Sequence, residues 1–430
     1  MWRARDRTRN RGGTKSLLSV ATAQLGTAPL HYWDFTANRA LFSGVDVGAV
    51  TSTPNWSFGR ASTGYAQTLA GTLVNFGSGV PRITNKGLLV EDLRTNLLLQ
   101  SQTLDNATWI KNSATVNANA YTAPDATLTM DGVQASAGLF DHFVRQNITW
   151  TAAVHSASAY VKYVNHQWVA LQIFDGTTNC VAAFDLLNGV VGAVSNVTSA
   201  IESLGGGVYR ISITTSAPLA AAAGFTSLAL NNSNTANIVT WTAAGTELVG
   251  VWGAQAEAGS ASSSYITTTT VTASRQPDTA SLTSPSVAYP LSVYTEFNRT
   301  MASFPSNTIA FNLDDATAGE RTTIIVDATA STLQPLVSAL STTQYNVNIS
   351  PALAANTTTK LAVRVSAASA NSARDNVLQT ASGAITVPLT PTRLFFGMNP
   401  SAAAQLNGYL LRVAIFNTAL ADAALQRSTR

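Results

Sequence analysis

The sequence predicts an all-β protein built as two antiparallel, jelly-roll-like β-sandwiches. Three observations carry that prediction. Charged residues make up only 11% of the 430 positions, against about 25% in an ordinary globular chain. The polar surface must therefore come from Ser, Thr, Asn, Gln and backbone. Short segments rich in Val, Ile, Thr and aromatics alternate with Gly, Asn and Asp turn signals, the pattern of a sandwich or barrel. Helical periodicity is nearly absent. The low charge also excludes a charged disordered chain and a coiled coil, and it disfavours a helical enzyme with Glu- and Lys-rich faces.

Taken in order, residues 1–28 read as a basic arm with a short helix over Ser16–Gln24. Arg3, Arg5, Arg7, Arg9, Arg11 and Lys15 face only Asp6, a local charge of +5 in a chain of net +3. The rest of the chain is thus slightly acidic, and the basic character belongs to the arm. Such an arm suits nucleic acid, an acidic protein surface or the n-region of a signal peptide. Leu17-Leu18-Ser19-Val20 is too short for a signal h-region. No apolar run approaches the roughly 18 residues of a membrane span.

Residues 29–104 read as an irregular β-rich linking region, with short strands at Thr72–Phe76, Pro81–Thr84 and Gly87–Glu91 and a buried strand at Asn96–Gln100. Residues 105–276 read as the first sandwich, with strands at Ala159–Val164, Trp168–Phe174, Val181–Asp185, Tyr209–Thr214, Ser227–Leu230 and Glu247–Gln255. Asp175-Gly176, Asn188-Gly189 and Gly205-Gly206-Gly207 supply the positive φ that tight turns need. Residues 277–430 repeat the logic, with strands at Leu291–Asn298, Asn307–Leu313, Thr322–Ala328, Gln344–Ile349, Lys360–Ser366, Arg393–Gly397 and Gly408–Phe416. Thr418–Gln426 predicts a closing helix capped by Thr418 and docked through Leu420 and Leu425.

The single cysteine, Cys180, excludes an internal disulfide framework and reads as a small buried hydrophobe. His31, His142, His155 and His166 show no metal-ligand spacing. No cofactor or metal is expected. Asp314-Asp315 at a strand end reads first as a solvated turn, with calcium as the sharper alternative.

Three groups of residues carry a resemblance. Phe58-Gly59-Arg60-Ala61-Ser62-Thr63, Val80-Pro81-Arg82, Gly87-Leu88-Leu89-Val90-Glu91, Arg94 through Ser101 and Ala107-Thr108-Trp109 form an ordered set that resembles a module of tailed-bacteriophage virion proteins. Phe184-Asp185-Leu186, Gly207-Val208-Tyr209-Arg210, Val251 through Gly259 and Ser264-Tyr265-Ile266 look like the carbohydrate-binding-module-like sandwich that follows it in those proteins. Leu406 through Phe416 with Leu420-Ala421-Asp422 is similar to the end of concanavalin-like, laminin-G-like sandwiches. The resemblance spans most of residues 55–430. It implies a non-enzymatic phage structural protein of tail-fibre, head-fibre or decoration type, displayed on the virion and adhering to host glycans. It also implies a homotrimer, which a monomeric mass in light scattering would contradict. The arm residues Arg3, Arg5, Arg7, Arg9, Arg11 and Lys15 are then expected to anchor the chain on capsid or tail proteins, with nucleic acid the lesser partner.

Candidate chemistry is sparse. Glycan hydrolysis usually takes two carboxylates flanking the scissile bond, and the closest acid pairs, Glu91-Asp92 and Asp314-Asp315, alternate across a strand. A capsule-degrading tailspike enzyme and a purely structural cement protein stand as alternatives. Arg60, Arg82 and Arg94 suit satisfaction of irregular backbone, and Trp252 suits a core. In Trp168–Phe174, period 2 sends Val169, Leu171 and Ile173 inward and Trp168 and Gln172 outward. If the preceding strand pairs with this one, Tyr160 and Lys162 join them. Tyr160, Lys162, Trp168 and Gln172 are thus the expected glycan-binding face, with packing against another domain or a second copy as the alternative use of the same surface, since aromatics are also enriched at protein interfaces.

Overall fold

The computed structural model describes residues 15–300 and 306–430. Arg3, Arg5, Arg7, Arg9 and Arg11 lie outside the described residues; Lys15 is exposed. The chain is all-β, with antiparallel pairing throughout its sheets.

The first sandwich packs two six-stranded sheets. The front sheet runs in the order Ile110–Asn112, His142–Thr149, Ala223–Asn231, Trp168–Phe174, Asn179–Asp185, Val190–Ser195. The back sheet runs Ala114–Tyr121, Met130–Ala135, Leu248–Ala258, His155–Tyr163, Val208–Thr215, Val197–Gly205. Alternate residues from both sheets meet between them, among them Val144, Val161, Val169, Leu171, Ile173, Phe184, Ile211 and Leu230. Cys180 is in this core, where burial pushes its thiol up to about 11.

The turns form as their residues require. Asp175 Oδ1 accepts from the backbone N–H of Thr177 and Thr178 at 3.0 and 2.6 Å, closing the Trp168–Phe174 hairpin. Gly205, Gly206 and Gly207 all have positive φ (86°, 60° and 74°), a run that residues with a Cβ avoid.

The second sandwich takes in the N-terminal strands. Its larger sheet has ten strands: Val45–Gly48, Arg39–Phe42, His31–Asp34, Gly408–Phe416, Leu291–Arg299, Thr358–Ser366, Ser369–Arg374 and Val377–Leu378 in order, with Gly87–Val90 on Gly408–Phe416 and Ile83–Thr84 beyond it. The facing sheet of seven runs Thr342–Asn346, Leu333–Ala339, Arg321–Val326, Thr308–Asp314, Arg393–Phe396, Thr279–Thr283 and Trp56–Gly59. Residues 29–104 are therefore more than a linker. Trp33, Phe35, Val50, Leu88 and Val90 share one core with Phe297, Phe311 and Phe396.

Three local expectations change. Asn96–Gln100 is not a strand: only Arg94–Asn96 pairs, with Ala273–Arg275. Asn96 is fully buried, and its amide donates to Ala254 O and Ile266 O while its Oδ1 accepts from Leu98 N and Ala256 N. The closing helix is Asp422–Ser428, and Thr418 does not cap it. Leu420 N and Thr418 O are instead held by the Ser292 hydroxyl, which keeps that stretch extended. Asp314 is buried, accepting from Arg393 Nε at 2.7 Å and from Asn312 Nδ2 at 2.7 Å, so it is not a solvated turn residue.

The first helix, Leu17–Leu25, is capped by Ser16, whose hydroxyl accepts from Ser19 N at 3.2 Å. Leu17, Ala21 and Leu25 pack with Leu420 and Leu425 on Tyr32, Tyr294 and Ala414 of the ten-stranded sheet. The segment that follows the basic arm is thus part of the second sandwich.

Candidate functional site

The four residues expected on one face divide between two. Tyr160 and Lys162 lie in the back sheet; Trp168 and Gln172 lie in the front sheet. His155–Tyr163 pairs with Val208–Thr215 and Leu248–Ala258, whereas Trp168–Phe174 pairs with Asn179–Asp185 and Ala223–Asn231. The connection at 164–167 crosses the sandwich, so the two outer faces point apart. Each strand's own alternation holds, with Val169, Leu171 and Ile173 in the core.

Tyr160 faces outward from its sheet but is buried. Its ring meets Trp252 edge-on at 5.5 Å and lies in one cluster with Tyr65 and Tyr265. The Arg210 guanidinium sits 5.5 Å from the same ring, and burial raises the Tyr160 hydroxyl above its ordinary range. Lys162 donates to Gly206 O at 3.1 Å. The cover over this sheet comes from residues far away in sequence.

The front face is laid out in rows across four strands. One reads Phe143, Ala229, Ala170, Ala183; the next Arg145, Ser227, Gln172, Val181; the third Asn147, Phe225, Phe174, Asn179. Phe174 and Phe225 lie 5.2 Å apart. The Arg145 guanidinium sits 4.6 Å from the Phe225 centroid and 5.6 Å from that of Phe143. These three rings and Arg145 are all half-buried. Arg145 has no ion pair among the described residues, and its Nε has no hydrogen-bond partner.

Gln172 is buried, donating to Asn179 Oδ1 at 2.6 Å and accepting from the Ser227 hydroxyl at 2.8 Å. It aligns Asn179, which donates to Asn237 Oδ1 at 3.2 Å. Trp168 is half-buried at the end of the face against Gly192, where a Cβ would stand 2.8 Å from the indole. The amide oxygen of Asn234 accepts from Ala193 N at 2.6 Å and closes that end.

Phe143, Arg145 and Phe225 escaped the sequence reading. For Phe143 and Arg145 the signal was present in His142–Thr149, where Phe143, Arg145 and Asn147 alternate with Val144 and Ile148. Inward-facing His142 and Gln146 interrupt the apolar stripe and hide the strand.

The arginines gather elsewhere. Arg82 is fully buried and donates through Nη1 to Glu91 at 2.6 Å, to the Ser264 hydroxyl at 2.7 Å and to Tyr65 O at 2.9 Å, and through Nη2 to Asp278. Arg60 donates to Asp278 at 3.1 Å, and Arg275 lies 3.4 Å from Glu91. Arg60 also donates to the carbonyls of Ser62 and Gly77, and Arg94 to that of Ala258, as expected of arginines on irregular backbone. Burial alone would raise the Glu91 carboxyl, but Arg275 and Arg82 hold it well below the ordinary carboxylate range. Among the described residues no group of three His, Cys, Asp or Glu side chains is placed to hold a metal ion.

A scan against protein-family models finds no match, and a search of curated proteins finds none. Among solved structures, the chain is similar over part of its length to the CBM40 of Ruminococcus gnavus IT-sialidase bound to alpha2,3 sialyllactose, at 9% identity, 33% of this chain, 82% of that one and a TM-score of 0.28. It is similar to domain 4 of AbnA, a GH43 extracellular arabinanase from Geobacillus stearothermophilus, in complex with arabinotriose, at 12% identity, 39% and 82% coverage and a TM-score of 0.30. A human galectin-16 variant matches at 9% identity, 32% and 94% coverage and a TM-score of 0.25. At these TM-scores the functional reading rests on this chain's own residues.

Proposed function

We propose that this chain is a non-enzymatic surface component of a tailed-phage virion that holds glycans on the front face of its first sandwich. The observation that carries the reading is the platform of Phe143, Phe174 and Phe225 around a guanidinium with no carboxylate partner among the described residues. Sugar rings offer apolar faces to aromatic planes and hydroxyls to fixed amides. Each ring contact is worth about 1 kcal/mol on the scale of aromatic pairing, so adhesion needs several copies acting together.

Two features favour binding over hydrolysis. The three rows of the face contain no carboxylate, whereas glycosidases generally use a pair. Asp185, opposite Trp168, accepts from Leu187 N, Asn188 N and Gln167. Burial would raise its carboxyl, but these bonds and that from the Asn188 amide hold it below its ordinary value, the wrong direction for a general acid. The virion assignment is supported by the ordered motifs between Phe58 and Trp109 and by the isolated charge of the arm. The helix that follows the arm packs on the second sandwich, whereas the candidate face belongs to the first.

The test is binding of the full chain to extracted host polysaccharide. Arg145→Ala and Phe225→Ala are expected to lower affinity about tenfold each, with stability changes near 1 kcal/mol. Unchanged binding in both variants refutes the assignment.

A further inference from the structure

A second concave region lies between the two sandwiches, on the side opposite the front face. It is a cleft of about 720 Å³, inside the roughly 300–1,000 Å³ of small-molecule sites. Its floor is the outer face of the back sheet. There the registers align Thr214 with Thr198, Ser212 with Ala200, and Tyr160 with Arg210 and Glu202. Residues 260–264 form one wall, Lys86 and Tyr409 another, and Asn298 and Asn356 of the second sandwich face the floor. The accessible lining is thus rich in hydroxyls and amides, as a polyhydroxylated ligand requires.

The charges are unbalanced. Arg210 donates through Nη2 to the Ser158 hydroxyl and to Ser263 O, neither a carboxylate. Its Nη1 has no hydrogen bond among the described residues. Lys86 donates to Gln67 Oε1 at 3.1 Å and lies 3.5 Å from Glu202, whose side chain is 48% exposed. Glu91, the other acid on the wall, is consumed by Arg82 and Arg275. Glu202 and the buried Glu257 also act on Arg210, but Glu257 is bound to Gln255 and Ser263 behind the wall, so the cleft surface presents Arg210 and Lys86 with Glu202 as the one loosely held acid. Two further polar atoms on the wall, Asn298 Oδ1 and Ser260 Oγ, are buried and have no hydrogen-bond partner among the described residues. Buried polar groups normally find a partner, and both of these turn about single bonds.

We propose that this cleft is a second saccharide site, selective for sugars that carry a carboxylate. Arg210 holds the carboxylate, and the Ser212, Thr214 and Thr198 hydroxyls hold the ring hydroxyls. The cleft shares no residue with the front face.

The experiment is calorimetric titration of the full chain with tetrasaccharides of oligogalacturonate, oligomannuronate and hyaluronan, each beside its carboxyl-reduced form. At least one acidic form is expected to bind at least about tenfold more tightly than its reduced partner, on the scale of a hydrogen bond to a charged group. Raising salt should narrow that gap. Ala200 is exposed on the cleft floor, so Ala200→Trp fills the cleft without removing a packed side chain and is expected to abolish binding. The titrations are run on the Arg145→Ala chain, which weakens the front face, and there Arg210→Lys should lower binding about tenfold, which separates this site from the front face. The proposal is overturned if no acidic form binds, if reduced forms bind as well, or if Ala200→Trp binds normally. Should Arg210→Lys fail to fold, Ala200→Trp decides alone.

Discussion

Arg82→Met is the sharpest test of how the two sandwiches are held together. Arg82 joins Glu91 of the N-terminal strands to Asp278 at the start of the second sandwich and to Ser264 in the segment leaving the first. Its side chain and that of Asp278 are completely buried, and that of Glu91 is 3% exposed. Breaking a buried pair by removing one partner costs about 3–5 kcal/mol, because the remaining charge has neither water nor a counter-charge. Here Arg60 still reaches Asp278 at 3.1 Å and Arg275 still lies 3.4 Å from Glu91. The loss should therefore fall near the lower end, about 3 kcal/mol. Urea unfolding followed by tryptophan fluorescence reads it, since Trp252 belongs to the first sandwich and Trp33 to the second. Asp278→Asn should cost a similar amount, and the double variant less than the two together. A midpoint for Arg82→Met within about 1 kcal/mol of the parent would refute the claim that these ions fasten the two units.

Two further predictions follow from placement. His31 is fully buried, burial pushes its imidazole down to about 4, and Nδ1 accepts from Ser43 N at 3.2 Å, which only the neutral ring can do. Because the folded value lies below the unfolded value of about 6.5, its contribution is complete above that pH and is lost as pH falls toward the folded value, on the order of 3 kcal/mol; a His31→Asn variant whose urea midpoint drops as steeply between neutral and acid pH would contradict this. Truncation before Ser16 should leave a folded chain that no longer enters virions, whereas removing residues 1–24 strips Leu17 and Ala21 from the ten-stranded sheet and should also lower the melting temperature; normal incorporation of the shorter truncation would end the anchoring proposal.

Much of the fold was legible because period 2 and turn chemistry are local. Trp168–Phe174 and Gly408–Phe416 form over the spans their sequences suggest, and Asp175 and the three glycines at 205–207 close the hairpins they signal. What failed was pattern interrupted by polar packing. His142–Thr149 turns His142 and Gln146 inward, where the His142 ring takes Ser113 O and the Gln146 amide takes Leu99 O. Ala114–Tyr121 and Val197–Gly205 are edge strands with mostly exposed side chains, so they lack the apolar face that marks a strand.

The candidate site was legible by face and illegible by neighbour. Period 2 correctly sends Tyr160 and Trp168 outward, each from its own sheet. Which sheet a strand enters depends on pairings that sequence adjacency does not fix, and 164–167 is as able to cross a sandwich as to close a hairpin. What then covers an outward face is decided further off still. Tyr160 is buried by Tyr65 and Tyr265, about a hundred residues away on either side, while the 232–238 loop packs Ala236 and Ile238 on Phe143, Ala170, Val181 and Ala229 and leaves Arg145, Phe174 and Phe225 half-exposed. The same asymmetry separates the two proposals physically. On the front face aromatic rings remain half-exposed and offer stacking. In the cleft the rings are buried, and hydroxyls, amides and an Nη1 without a hydrogen bond among the described residues remain. Ligands of the first should therefore tolerate salt and depend on ring contact, and ligands of the second should weaken as salt rises.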